Sequence, residues 1–277
     1  MGRERAAIIT KQGKKLIEER YVANQDLKEQ NHANGRRARL AGGLPFWKRS
    51  LDLAIVIFLL PGAALVGALV ALVIKLGSRG PVLFHQDRVG YQGRLFTCFK
   101  FRTMRVNADV QAHQGHTTQL IRGGGAMTKL DSGNDPRVIP FGVCLRATGL
   151  DELPQLINVL RGEMSIVGPR PCIPYEYDLY EPWQRRRFDA VPGLTGLWQV
   201  SGKNRTTFNQ MIHLDIEYSQ RKSFLLDVKI LLMTFPALWT QCMDVNQTRK
   251  SATTRTMARK HNREHTVDVG KPVHFNS

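Results

Sequence analysis

A run of 22 residues without a charge, Leu53 to Ile74, is the strongest constraint on how this chain can fold. As a straight helix it would extend about 33 Å, enough to reach across the apolar core of a bilayer. Pro61 and Gly62 interrupt it near its centre. Pro61 lacks a backbone donor and disfavours helical backbone at Leu60, so a sharp kink is expected there. Lys48 and Arg49 precede the run and Lys75 and Arg79 follow it. The charge bias that orients a spanning helix is therefore balanced. Two arrangements fit: a spanning helix that tolerates its proline, or a segment that dips in and returns with both basic ends on one face. From residue 80 onward the chain reads as soluble globular sequence. Within it, Ser223–Met243 is apolar but interrupted by Asp227 and Lys229, the pattern of an amphipathic helix lying in a membrane interface or of a buried core helix.

The formal net charge is +17. Residues 1–50 hold twelve Lys and Arg against five Asp and Glu, and residues 247–277 hold seven against two. Basic ends favour anionic partners, and beside an apolar segment acidic lipid is preferred to nucleic acid. Both tails are also what solvated, disordered ends look like. The first 45 residues lack the pattern of a secretory signal peptide, so export is not expected. Four cysteines, Cys98, Cys144, Cys172 and Cys242, are widely spaced and form no CxxC pair. They provide neither a disulfide framework nor a zinc site.

The globular part opens with a hairpin over residues 81–104, turning at Gly90-Tyr91-Gln92-Gly93. On its return strand Phe99 and Phe101 share one face, while Cys98, Lys100 and Arg102 share the other. Lys100 and Arg102 could then cradle an anion, or simply form a solvated face. Residues 105–136, with Gly123-Gly124-Gly125, lack periodicity and read as a loop. His113 and His116 have no further ligands nearby and read as surface histidines.

The chemistry concentrates in Gly149-Leu150-Asp151-Glu152-Leu153-Pro154-Gln155-Leu156 and, downstream, Val167-Gly168-Pro169-Arg170-Pro171. Thr148 with Asp151 fits a capping pattern, and Pro154 is tolerated in a first helical turn. Leu153, Leu156, Ile157 and Leu160 would pack inward. A helix start lowers the pKa of a carboxylate and attracts phosphate. Asp151 and Glu152 point about 100° apart and cannot act identically, so one could attack or bind metal while the other handles a proton. They are also what an ordinary helix start carries. Pro169 and Pro171 restrict the backbone of Arg170, whose guanidinium suits bidentate phosphate binding. Arg185-Arg186-Arg187 then precede the loop from Pro192 to Gly202, whose glycines could bring backbone N–H groups to an anion, with Trp198 packing inside. Carboxylates beside arginine point to chemistry on phosphates next to a membrane.

In this order the segments resemble the bacterial sugar transferase family, the monotopic phosphoglycosyl transferases that start exopolysaccharide or glycan assembly on polyprenyl phosphate. The residues that carry the resemblance are WKRSLD (Trp47–Asp52), the Pro-broken apolar run, Val82–Met104, Asn134–Pro171 and the loop PGLTGLWQVSGKN. It covers residues 46–240, without the extra N-terminal membrane helices of larger members. The resemblance implies that Asp151 attacks the sugar-linked phosphate of a UDP-sugar, releasing UMP and leaving a covalent aspartyl phosphosugar that polyprenyl (undecaprenyl) phosphate then takes up. Glu152 would be the partner carboxylate, and Mg²⁺ would screen the diphosphate with Asp151 as its protein ligand. Arg146 and Arg170, with Lys100 and Arg102 behind them, would contact phosphate. Lys48, Arg49 and Asp52 would anchor the membrane helix bent at Pro61. Gly149 stands where the family commonly has Ser, which would loosen the helix start.

The expected fold is α/β, mostly helical with a small β-hairpin or sheet, an N-terminal Pro-broken re-entrant membrane helix and interfacial amphipathic helices. Its parts are a basic tail (1–45), the re-entrant helix (46–79), a catalytic domain (80–222), an amphipathic helix (223–245) and a second basic tail (246–277). The expected setting is the bacterial inner membrane, among its lipids, with the catalytic domain on the cytoplasmic face. Two other functions fit fewer of the residues: a basic, membrane-attached binding protein without chemistry, and a glycosyl transferase that acts at the sugar carbon and releases UDP.

Overall fold

A computed structural model describes residues 44–106, 111–123, 135, 137–202 and 206–244, with the side chains of 111–114 left aside. The basic tails up to residue 43 and from residue 246, Gly124 and Gly125, and Lys203 and Asn204 of the glycine-punctuated loop lie outside these residues, as does the side chain of His113. The described elements are mostly helices, joined by two small sheets.

Helix α1, Phe46–Gly77, contains the apolar run and keeps Pro61 inside it. At about 1.5 Å per residue its 32 residues would measure about 48 Å if straight. Both ends are fastened to the same globular body. At the start, Lys48 Nζ donates to Asp227 Oδ2 (2.5 Å) and to the Tyr218 hydroxyl (2.9 Å). Arg49 donates to the carbonyls of Val159 and Leu160, satisfying orphan groups at a helix C-terminus. Asp52 Oδ1 accepts from Ser165 Oγ and Ile166 N, both at 2.9 Å. At the far end Arg102 reaches Ser78 and Pro81. Between the fastenings, Ile57, Phe58, Leu60, Leu65 and Leu69 are exposed, Phe58 to 84%.

Strand β1 (Leu83–Val89) pairs antiparallel with β2 (Leu95–Phe101) through a turn at Tyr91–Gly93, from Leu83 opposite Phe101 to Val89 opposite Leu95. Residues read as a loop from sequence include a helix, α2, over Gln111–Gly123. Its apolar content is too sparse to show a period. Ile121 is buried in a cluster with Tyr180, Phe208 and Ile212, so tertiary burial supplies what the sequence pattern lacks.

Helix α3 (Gly142–Thr148) leads into a 3₁₀ turn, Leu150–Gln155, and then α4, Leu156–Arg161. The inward stripe expected of one continuous helix is not formed. Leu156, Asn158 and Val159 are buried, while Ile157 and Leu160 are exposed. The 3₁₀ turn changes the angle per residue from about 100° to about 120°, which shifts the phase of everything after it.

Strand β3 (Ser165–Val167) runs parallel to β4 (Gly193–Thr195), with α5 (Pro174–Leu179) and a 3₁₀ turn (Gln184–Asp189) between them. This is where the glycines of both loops are used. A Cβ on Gly193 would run into Gly168 N and Cα, and one on Gly168 would meet Val191 O. The amides of Gly168 and Gly193 donate to Thr195 O and Pro169 O. They hold one loop to the other, so the N–H of Gly193, in the loop expected to offer such groups to an anion, is used within the fold instead. Gly193→Ala is expected to destabilise the protein by at least about 2 kcal/mol, as overpacking against backbone does. Thermal unfolding checks this; an unchanged midpoint would sink the close-approach account.

After α6 (Leu197–Val200) and α7 (Phe208–Arg221), helix α8 covers Phe224–Asp244. Trp198 packs in the core and donates to Thr206 Oγ1. Helix α8 buries Ile230 and Asp227 and exposes Leu225, Leu232, Phe235 and Trp239. α1 and α8 are each long and apolar enough to be membrane-associated.

Candidate active site

Helix α3 ends at Gly149, whose φ of 74° is left-handed. Glycine enters this region without penalty, so Gly149 suits the junction between α3 and the 3₁₀ turn. It does not loosen it. Thr148 belongs to the helix before: its hydroxyl donates to Cys144 O (2.9 Å) or Leu145 O (3.2 Å) and caps nothing downstream. In a 3₁₀ turn residues three apart eclipse. Leu150 and Leu153 therefore fall on one side, where both pack against the cluster containing Val70 and Ile74 of α1. The turn that carries Asp151 and Glu152 rests directly on the apolar helix.

The two carboxylates have different surroundings. Glu152 Oε1 accepts from Lys100 Nζ at 2.7 Å and lies 3.5 Å from an Arg170 NH1. Asp151, among the described residues, makes no hydrogen bond or ion pair. Burial raises its pKa and so does neighbouring Glu152, while Lys100, Arg146 and Arg170 pull the other way. The shift upward is opposite to that expected of a helix start. A single 3₁₀ turn supplies little dipole, and desolvation of the carboxylate dominates.

Glu152 lines a small pocket with Arg88, Cys98, Lys100, Gln155, Arg170, Pro171 and Gly193; Asp151 stands beside it. Strand β2 delivers Lys100 and β1 delivers Arg88, from the same face of the hairpin as Cys98. Arg170 comes from the loop after β3, and its carbonyl accepts from Arg187 NH2 at 2.8 Å. Buried Arg187 is paired in turn with Asp215 of α7. Burial opposes its charge, and Asp215 more than offsets that. Arg146, on the last turn of α3, donates from Nε to Thr103 Oγ1 (2.9 Å) and acts on Asp151 through its field. The carbonyls of Arg146 and Ala147 accept from Gln241 Nε2 of α8, which ties the second apolar helix to the site.

Of the residues singled out from sequence, Asp151, Glu152, Lys100, Arg146 and Arg170 come together. Arg102 does not. Its three guanidinium nitrogens are engaged with Ser78 and Pro81, so the anion cradle expected from Lys100 and Arg102 is not formed. The chain leaves β2 after Phe101, and strand alternation no longer governs Arg102. Arg88, Gln155 and the supporting role of Arg187 are not legible in the residue order. The signal for Arg88 is strand pairing: Gln86 pairs with Cys98 and Phe84 with Lys100, which puts Arg88 on their face of the hairpin.

Among the described residues no three His, Cys, Asp or Glu side chains cluster as a metal site. The donors present are the two adjacent carboxylates. That fits Mg²⁺, which commonly takes one or two protein carboxylates and completes its shell with phosphate and water.

A family model described as bacterial sugar transferase matches residues 44–241. The chain is 38% identical over 200 residues to the exopolysaccharide production protein ExoY of Sinorhizobium fredii, covering 72% of this chain and 88% of that protein. It is 45% identical over 161 residues to the galactosyl transferase CpsE of Streptococcus agalactiae, covering 56% of this chain and 34% of that one. It is 40% identical over 199 residues to the undecaprenyl-phosphate glucose phosphotransferase of Komagataeibacter xylinus, covering 68% and 35%. The chain thus spans most of ExoY but about a third of the other two.

Proposed function

The chain belongs to the bacterial sugar transferase family, and from that premise we propose that it moves a sugar phosphate from a UDP-sugar to polyprenyl phosphate, initiating exopolysaccharide synthesis. The observation that carries this reading is the inequality of the two adjacent carboxylates. Glu152 is held by Lys100 and Arg170, and Asp151 is unpaired among the described residues. Asp151 is the nucleophile. One of its carboxylate oxygens attacks the sugar-linked phosphorus, the bond from that phosphorus to the bridging oxygen breaks, and the electron pair leaves on UMP. The resulting aspartyl phosphosugar is attacked at phosphorus by an oxygen of polyprenyl phosphate, which returns the carboxylate. Lys100, Arg170 and Arg146 hold the phosphate charge. Glu152 keeps Lys100 and Arg170 placed and aids proton handling. Mg²⁺ bound at Asp151 would screen the diphosphate.

The fastenings of α1 support a re-entrant membrane geometry. Its start is joined to Asp227 and Ser165, and its end, through Ser78, to Arg102, all on one body. A crossing would place parts of that body on opposite faces of the bilayer. These fastenings support the reading that α1 enters and returns on one face, taken here as the cytoplasmic face of the inner membrane, with the exposed residues around Pro61 immersed and α8 lying in the interface. Leu150 and Leu153 then set the catalytic turn at headgroup level, where a lipid phosphate meets a soluble nucleotide sugar.

The test is nucleotide release by the full chain in detergent with Mg²⁺, polyprenyl phosphate and a panel of UDP-sugars. UMP is expected. UDP would mean attack at the sugar carbon and would overturn the reading. The pH profile adds a second prediction. A carboxylate with a raised pKa loses its nucleophilic form as pH falls through that raised value, so the acid limb should lie above the ordinary 3.8 of aspartate. Arg146→Met removes a charge that lowers the Asp151 pKa and should move this limb upward in rate measurements from pH 4 to 8. A limb that stays in place would detach Arg146 from Asp151.

A further inference from the structure

Glu152 gives Lys100 and Arg170 a carboxylate, but the third cation of the pocket has none. Arg88 donates from NH2 to Gln86 Oε1 (2.7 Å) and from NH1 to Pro171 O (3.1 Å), two neutral acceptors that fix its plane. Its Nε is buried and without a partner. Among the described residues no carboxylate forms an ion pair with it. Glu176 acts on it at longer range, while burial and adjacent Arg170 work against its charge. An arginine kept charged in such a place is poised for an anion that arrives from outside.

Resting on the phosphosugar-transfer reading, the geometry points to Arg88 as a further substrate-binding residue, the one that takes the nucleotide-side phosphate of the donor. A diphosphate carries two anionic centres. Lys100 and Arg170 converge on Glu152 next to Asp151 and so serve the sugar-linked phosphorus. Arg88 lines the same pocket from β1, held to the Arg170 loop through the Pro171 carbonyl. As the bond to the bridging oxygen breaks, that oxygen becomes a terminal oxygen of the departing phosphate and gains charge. A fixed guanidinium stabilises it without reorganising.

The experiment is calorimetric titration of the full chain in detergent with Mg²⁺, using inorganic pyrophosphate and orthophosphate as probes. The wild type is expected to bind pyrophosphate at least about tenfold more tightly than orthophosphate, the scale of one charge-assisted contact. Arg88→Met should erase that preference and change orthophosphate affinity less than about threefold. A purely structural Arg88, acting by holding the Arg170 loop, would weaken both probes by the same factor, and that result overturns the proposal. So does a wild type that shows no preference. If Arg88→Met does not fold, Arg88→Lys decides, because it keeps a cation but not the fixed fork. A preference left intact there also overturns the proposal. The readout is binding, so it does not depend on turnover. Pyrophosphate recognition through Arg88 without UMP release would overturn the functional reading and leave Arg88 as a diphosphate-binding residue alone.

Discussion

Asp151→Asn protein is expected to fold, to bind its UDP-sugar within a few fold of the wild type, and to release UMP at least about a thousandfold more slowly. Loss of a nucleophile in other enzymes costs up to about a millionfold in kcat, so this figure is conservative. The substitution is nearly isosteric, and it removes no hydrogen bond or ion pair among the described residues. It also removes a half-buried carboxylate whose charge is disfavoured by desolvation and by Glu152, so the folded state should lose nothing in stability. Inactivity with an unchanged melting temperature is therefore the expected pair of results. The companion Glu152→Gln should behave differently. It takes a charged acceptor from Lys100 and weakens the hold on Arg170, so turnover should fall while affinity for orthophosphate rises, because two cations lose their internal anion. Full activity in Asp151→Asn would end the covalent mechanism. An orthophosphate affinity unchanged in Glu152→Gln would show that Glu152 does not compete for the phosphate site.

Lys48→Met is expected to destabilise the protein by about 3–5 kcal/mol, the effect of leaving a buried charge without its partner. The Lys48 side chain is 2% exposed, and its ammonium lies 2.5 Å from Asp227 Oδ2. The Tyr218 hydroxyl is 2.7 Å from Asp227 Oδ1 and 3.0 Å from Val167 O, and can donate to one of them. Asp52 is in the same region, and its Oδ2 is buried without a partner. Removing Lys48 would leave these carboxylates facing one another where α1, α7, α8 and β3 meet. Thermal unfolding in detergent measures the loss. The double variant Lys48→Met/Asp227→Leu should recover much of it, since an apolar pair of similar volume removes the uncompensated charge. A single variant that melts within a degree or two of the wild type would show that α1 is held by its apolar contacts alone.

The hairpin, the apolar helix and the association of Asp151 and Glu152 with Arg170 could be read from residue order, while Arg146 entered only through the family resemblance. Turn glycines, strand alternation and charge-free length are local signals. The 3₁₀ turn at Leu150–Gln155 could not be read, because Leu-Asp-Glu-Leu-Pro is as good an opening for an α-helix, and only the packing of Leu150 and Leu153 on α1 selects the tighter form. The placement of Ile157 and Leu160 was lost with it. Helix α2 was missed because its stability comes from neighbours distant in sequence. Arg102 illustrates the same limit from the other side. Its type fits a phosphate contact, but one residue beyond the strand it becomes the latch on Ser78.

By itself the sequence determined that this chain carries a helix long and apolar enough to be membrane-associated, a set of carboxylates and cations of the types that suit phosphate, and the family to which it belongs. These follow from the chemistry of side chains and the length of apolar runs, which need no partner to be recognised. The tertiary structure alone decided that, among the described residues, Asp151 is unpaired while Glu152 is clamped and Arg88 stands in the pocket without a carboxylate, and that α1 is fastened at both ends to one body. Each depends on pairing across the fold: Lys100 reaches Glu152 across 52 positions and Lys48 reaches Asp227 across 179. Burial, which sets the Asp151 pKa, exists only once those distant segments have closed around it.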